Sequence, residues 1–72
     1  MDNNMLEIVL TQREKDVLIL IALGFINKNA AQELGASINT FNKHLASAKR
    51  KLQAKTKEQA VIQALKHQLI SV

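Results

Sequence analysis

Four stretches of the chain place apolar residues at helical spacing, with polar residues between them. Val17, Leu18, Ile21 and Ala22 recur at i, i+1, i+4 and i+5, the one-sided stripe of an amphipathic helix. Just before them, "TQRE" has the form of a capping box: the Thr11 hydroxyl serves a free amide and Glu14 reaches back to the Thr11 N–H. Gly24 fits a left-handed stop for this first helix. A short second helix is expected over 28–34, with Asn27 as its cap and Gly35 at its end. Ala30, Ala31 and Leu34 face inward there, and the two alanines permit close approach of another helix. Ser37 caps a third helix over 38–52, whose inward set Phe41, Leu45, Ala48 and Leu52 is spaced 4, 3 and 4. Thr56, with Gln59 as its box partner, opens a fourth helix that is expected to reach about residue 69. A tail over 1–10 precedes the domain over 11–72, and Leu6, Ile8 and Val9 are its expected docking contacts.

The chain has no Pro and only two Gly, so it is poor in turn formers and reads as all-α. Its 72 residues make one domain. Only "GAS" separates the second and third helices. A short helix, a tight turn with Gly and a longer helix with a polar outer face are the parts of a helix-turn-helix.

Charge sharpens this reading. The formal net charge is +4. Between Glu33 and Glu58 stand Lys43, Lys49, Arg50, Lys51, Lys55 and Lys57, and no acid. An anionic partner, double-stranded DNA first, is the expected one. With the third helix in a major groove, Asn39, Asn42, Lys43 and Ala46 are the residues placed to reach base edges. Asn pairs with adenine N6 and N7, Lys reaches guanine O6 and N7, and Ala46 admits a thymine methyl. Lys49, Arg50 and Lys51 follow and are expected at phosphates, which set position but not sequence. Lys28, at the start of the second helix, and Lys55 and Lys57, at the start of the fourth, are further phosphate candidates.

Other chemistries find little support. Without Cys there is neither a disulfide nor a thiolate metal site, and two His make a poor one. No metal or cofactor is expected. The chain lacks a Gly-rich phosphate loop, a paired-carboxylate pattern and a nucleophile–base arrangement, so an enzyme is not expected. The longest apolar run, 17–23, is too short to span a bilayer. "MDNNMLE" lacks the basic start of a secretory signal. A cytoplasmic location is expected.

Taken together, these blocks resemble the LuxR-type (GerE-like) helix-turn-helix domain of bacterial transcription regulators. "LTQREKDVLILIALG" is similar to the family's opening L-T-x-R-E-x-x-V-L-x-L-I-A-x-G, and "NKNAAQELGAS" to N-K-x-I-A-x-x-L-x-x-S, with Ala30 in the usual Ile place. "SINTFNKHLASAKRKL" resembles S-x-x-T-V-x-x-H-x-x-x-x-x-x-K-L, and "TKEQAVIQA" the closing R-x-x-A-V-x-x-A. The resemblance implies a four-helix fold that binds operator DNA as a dimer paired through helix four, in a bacterial cytoplasm. It implies that Asn42 and Lys43 lie in the base-reading segment and that Thr40, His44 and Lys51 lie near the phosphate backbone. Phe41 replaces the usual Val, and Lys43 and Ala46 also depart from common choices. The family's larger members carry an N-terminal receiver or ligand-binding domain. The chain is therefore read either as a standalone regulator or as part of a longer protein.

Helix four supports pairing independently. Ala60, Val61, Ile62, Ala64, Leu65 and Leu69 span an arc of about 200° at helical spacing, more than a small core needs. Ala60 and Ala64 are assigned to the core, and Ile62, Leu65 and Leu69 to a partner surface. A homodimer, formed in solution or only on DNA, matches a palindromic operator. Ile19 and Leu23 sit on the outer face of the first helix. They are expected to dock against a further domain, RNA polymerase or another protein, or to be covered by Ile8 and Val9. An alternative function is an interaction module that heterodimerises with a full-length relative and blocks it.

Overall fold

The computed structural model describes residues 8–72, so the contact expected of Leu6 lies outside the described residues. Among the described residues the chain forms four helices, α1 (Gln12–Ala22), α2 (Asn27–Leu34), α3 (Ile38–Leu52) and α4 (Lys57–Lys66). The all-α expectation holds. α1 packs against α3 and α4, and α2 packs against α3.

Local capping accounts for most helix starts. The Thr11 hydroxyl accepts from the Glu14 N–H at 3.1 Å, and Glu14 Oε1 accepts from the Thr11 N–H at 2.8 Å. Ser37 Oγ accepts from the Thr40 N–H, and Thr56 Oγ1 from the Gln59 N–H. Two expectations need correction. Gln59 reaches past Thr56 and accepts from the Lys55 N–H at 2.7 Å. Asn27 is the first residue of α2, not its cap; the cap position falls to Ile26, which has no side chain able to bond the free amides. The Asn27 side chain is drawn instead to Lys57, as described below.

All four helices stop the same way. After each, one residue turns left-handed or to positive φ, and the next donates its N–H back to a carbonyl five residues earlier, as Phe25 does to Leu20 and Ala36 to Ala31. Gly24 and Gly35 take this position after α1 and α2. After α3 and α4 it is taken by Gln53 (φ 55) and Gln68 (φ 58). The fourth helix accordingly ends at Lys66, three residues short of expectation. The turn at Gln68 sends Ile70 back into the core, and burying that side chain offsets the helical turn forgone.

A left-handed conformation costs an L-residue about 1–2 kcal/mol. Part of that gain is lost to the greater freedom of glycine in the unfolded chain. Gln53→Gly is therefore expected to stabilise the domain by roughly 0.5–1 kcal/mol and to raise Tm by about 2–8 °C. Thermal unfolding by circular dichroism checks this, and an unchanged or lower Tm refutes it.

The core is one cluster. Val17 and Leu18 of α1, Ala30 and Ala31 of α2, the four α3 residues, and Ala60, Val61 and Ala64 of α4 are buried together, with Leu10 and Ile70 closing its ends. Ala30 and Phe41 are both fully buried.

Candidate nucleic-acid interface

The buried seam of α3 determines which of its residues face outward. Phe41, Leu45, Ala48 and Leu52 are all buried, Phe41 and Ala48 completely. At about 100° per residue the opposite side carries Asn39, Lys43, Ala46 and Arg50, with Asn42 on its flank. All five are exposed. The four expected base-reading residues therefore share one solvent face. Ser37 Oγ donates to Thr40 Oγ1 at 3.1 Å, so the Thr40 hydroxyl hydrogen stays free for an acceptor outside. His44 and Lys49 are half-buried, whereas Lys28 and Lys55 are exposed.

Two of the expected phosphate residues are engaged by the protein itself. Lys51 Nζ donates to Glu14 Oε1 at 2.8 Å and to the Val9 carbonyl at 3.1 Å. Lys57 Nζ donates to Asn27 Oδ1 at 3.0 Å, tying the start of α4 to the start of α2. These contacts place both ammonium groups against protein acceptors, because the acceptors arrive from distant parts of the chain.

Glu14 is the hub that sequence reasoning missed. Its residue is only 3% exposed. Besides the Thr11 N–H and Lys51, it accepts from the Ser47 hydroxyl at 2.6 Å. Burial by itself pushes the carboxyl up, but the hydrogen bonds from Lys51, Ser47 and the Thr11 N–H, with the Lys51 charge, outweigh it and hold the carboxyl at about 2, against an ordinary 4.5. The group is therefore a buried anion that joins the start of α1 to the middle and end of α3. Its place in the capping box was legible; the partners on α3 had no local signal. Arg50 Nη2 in turn donates to Ser47 Oγ at 3.3 Å. Asp16, by contrast, faces Arg13 at 3.7 Å on α1, away from this network.

The residues expected at a partner surface divide. Ile62 and Leu65 lie on α4 and are 55% and 38% exposed. Leu69 lies beyond the helix end, half-buried, and packs on the core of its own chain. Leu23 is 59% exposed and Val9 more so, whereas Ile8 packs on the core. Val9 therefore gives Leu23 no full cover. No helix among the described residues is long and apolar enough to cross a membrane.

A model of the luxR family of bacterial regulatory proteins (GerE) matches residues 8–64. The response regulator protein VraR of Staphylococcus aureus (strain NCTC 8325 / PS 47) is 39% identical over 62 residues, covering 86% of this chain and 30% of VraR. VraR of Staphylococcus epidermidis gives the same figures. The chain thus spans less than a third of the length of these relatives. Among solved structures, the transcription factor GerE superposes with a TM-score of 0.80 at 26% identity, covering 86% of this chain and 92% of that one. With four helices in the same arrangement and a family match over most of its length, this chain belongs to the luxR (GerE) family of bacterial regulatory proteins.

Proposed function

We propose that this domain binds a palindromic double-stranded DNA operator as a dimer and regulates transcription through it. The observation that carries the reading is the exposed, acid-free outer face of α3, held outward by a fully buried seam. Asn39, Asn42, Lys43 and Ala46 meet base edges in the major groove. Lys28, Thr40, His44, Lys49 and Lys55 meet phosphates. Lys28 has added support, because the first amides of α2 lack a side-chain cap and favour an anion. Lys51 and Lys57 contribute mainly by setting the positions of α3 and α4. Ile62 and Leu65 form the centre of the dimer surface, and Leu69 lies at its edge.

Selection of bound sequences from a random DNA pool tests this. An inverted repeat is the expected product, with half-sites about one helical turn apart. On that site Asn42→Ala with Lys43→Ala is expected to weaken binding about 30-fold or more, at about 1–3 kcal/mol for each base contact, while weak non-specific binding persists. Log K should fall linearly with log salt, by about 0.9 for each phosphate neutralised. A pool without any enriched sequence contradicts the reading.

A further inference from the structure

From charge alone Arg50 belongs with the phosphate contacts, but its setting points elsewhere. Asn39, Lys43, Ala46 and Arg50 fall within an arc of about 60° on α3 and form one ridge opposite the buried seam. Lys49 and Lys51 leave the helix to either side of that ridge. Long side chains on a helix lean toward its N-terminus. Arg50 does so here, since its Nη2 reaches back one turn to Ser47 Oγ at 3.3 Å. Ser47 is no loose anchor. Its hydroxyl donates at 2.6 Å to the buried carboxylate of Glu14, which α1 holds in place. The hydroxyl therefore presents its oxygen to Arg50 and braces the guanidinium one turn back along α3, on the Ser47 side of the ridge. Ala46 stands four residues before Arg50 on the same ridge, and its methyl group leaves the space open.

We infer that Arg50 is a base-reading residue whose guanidinium, braced by Ser47 on the flank of that ridge, pairs with guanine O6 and N7 in the major groove. The inference rests on the proposed DNA-binding role. Only one of the five guanidinium N–H donors is used by Ser47, so a two-pronged contact remains open to the head group. A planar fork matches the guanine edge, which an ammonium meets only as a point charge.

The test is sequence selection with the wild type, Arg50→Ala, Arg50→Lys and Ser47→Ala, followed by titration of single-base variants of the selected site at fixed salt. Arg50 is exposed, so its variants keep the fold. The expected wild-type result includes one G·C pair per half-site whose replacement weakens binding about 10- to 100-fold. Arg50→Ala should abolish the preference at that pair and Arg50→Lys should weaken it, both leaving the other positions as they were. Ser47→Ala should reduce it. The inference is overturned if both Arg50 variants keep every base preference and Arg50→Ala merely weakens all sequences alike, with a salt slope lower by about one, the signature of a phosphate contact. That outcome leaves the DNA-binding reading intact. A wild type that selects no sequence overturns both.

Discussion

Phe41→Ala is expected to remove about 3–5 kcal/mol of stability, the range for emptying a fully buried aromatic site. A chain of this length has roughly 4–10 kcal/mol in all. The variant should therefore lose from about a third to all of its stability. Phe41 is completely buried between α3 and the rest of the core, and its removal leaves a space that no neighbouring helix can close without moving. The cost falls where function needs rigidity, because Phe41 is one of four residues that orient the outer face of α3. Chemical denaturation of both proteins gives the difference directly. A loss below about 1 kcal/mol would mean that the site collapses around the smaller side chain, and the seam would not be the anchor described here.

Glu14→Gln is expected to cost about 2–4 kcal/mol at pH 7 and to change how the domain responds to acid. The carboxyl sits at about 2 in the folded protein and ionises at 4.5 ordinarily. Folding thus favours the charged form. The stability it contributes is complete above about pH 4.5 and is lost as pH falls toward 2. The shift corresponds to roughly 3 kcal/mol, reduced somewhat because the Lys51 side chain is 30% exposed and solvent screens the pair. Glutamine keeps the shape and can still accept from Ser47 or the Thr11 N–H, but it carries no charge for Lys51. Unfolding in urea at pH 7, 4.5 and 2.5 separates the variants. Wild type should lose stability steeply over the acid interval and Glu14→Gln should lose much less. Parallel acid limbs would show that another group governs acid unfolding.

The local part of this fold was readable for a physical reason. Thr11, Ser37 and Thr56 cap helices through bonds to amides three residues on, and Gly24 and Gly35 stop helices at positions that favour positive φ. Such interactions close within one turn, so residue type and spacing carry them. The same holds for the α3 seam, because its 4, 3, 4 spacing can face one way only. The family pattern added the order of the blocks, and the outer face of α3 follows as the complement of the seam.

Features that depend on distant residues were not readable. Gln53 and Gln68 adopt the left-handed stop although Gln has no special preference for it, and the shorter α4 follows from Ile70 finding room in the core. Asn27 looked like a cap until Lys57, thirty residues away, took its oxygen. Lys51 was expected at a phosphate along with Lys49 and Arg50, yet Glu14 and Val9 bind it from 37 and 42 residues away. By itself the sequence determined the number of helices, the starts of three of them, the buried seam and hence the outward face of α3. Only the tertiary structure decided which of the basic residues the protein itself engages, because a charge is engaged or available according to what the fold brings beside it.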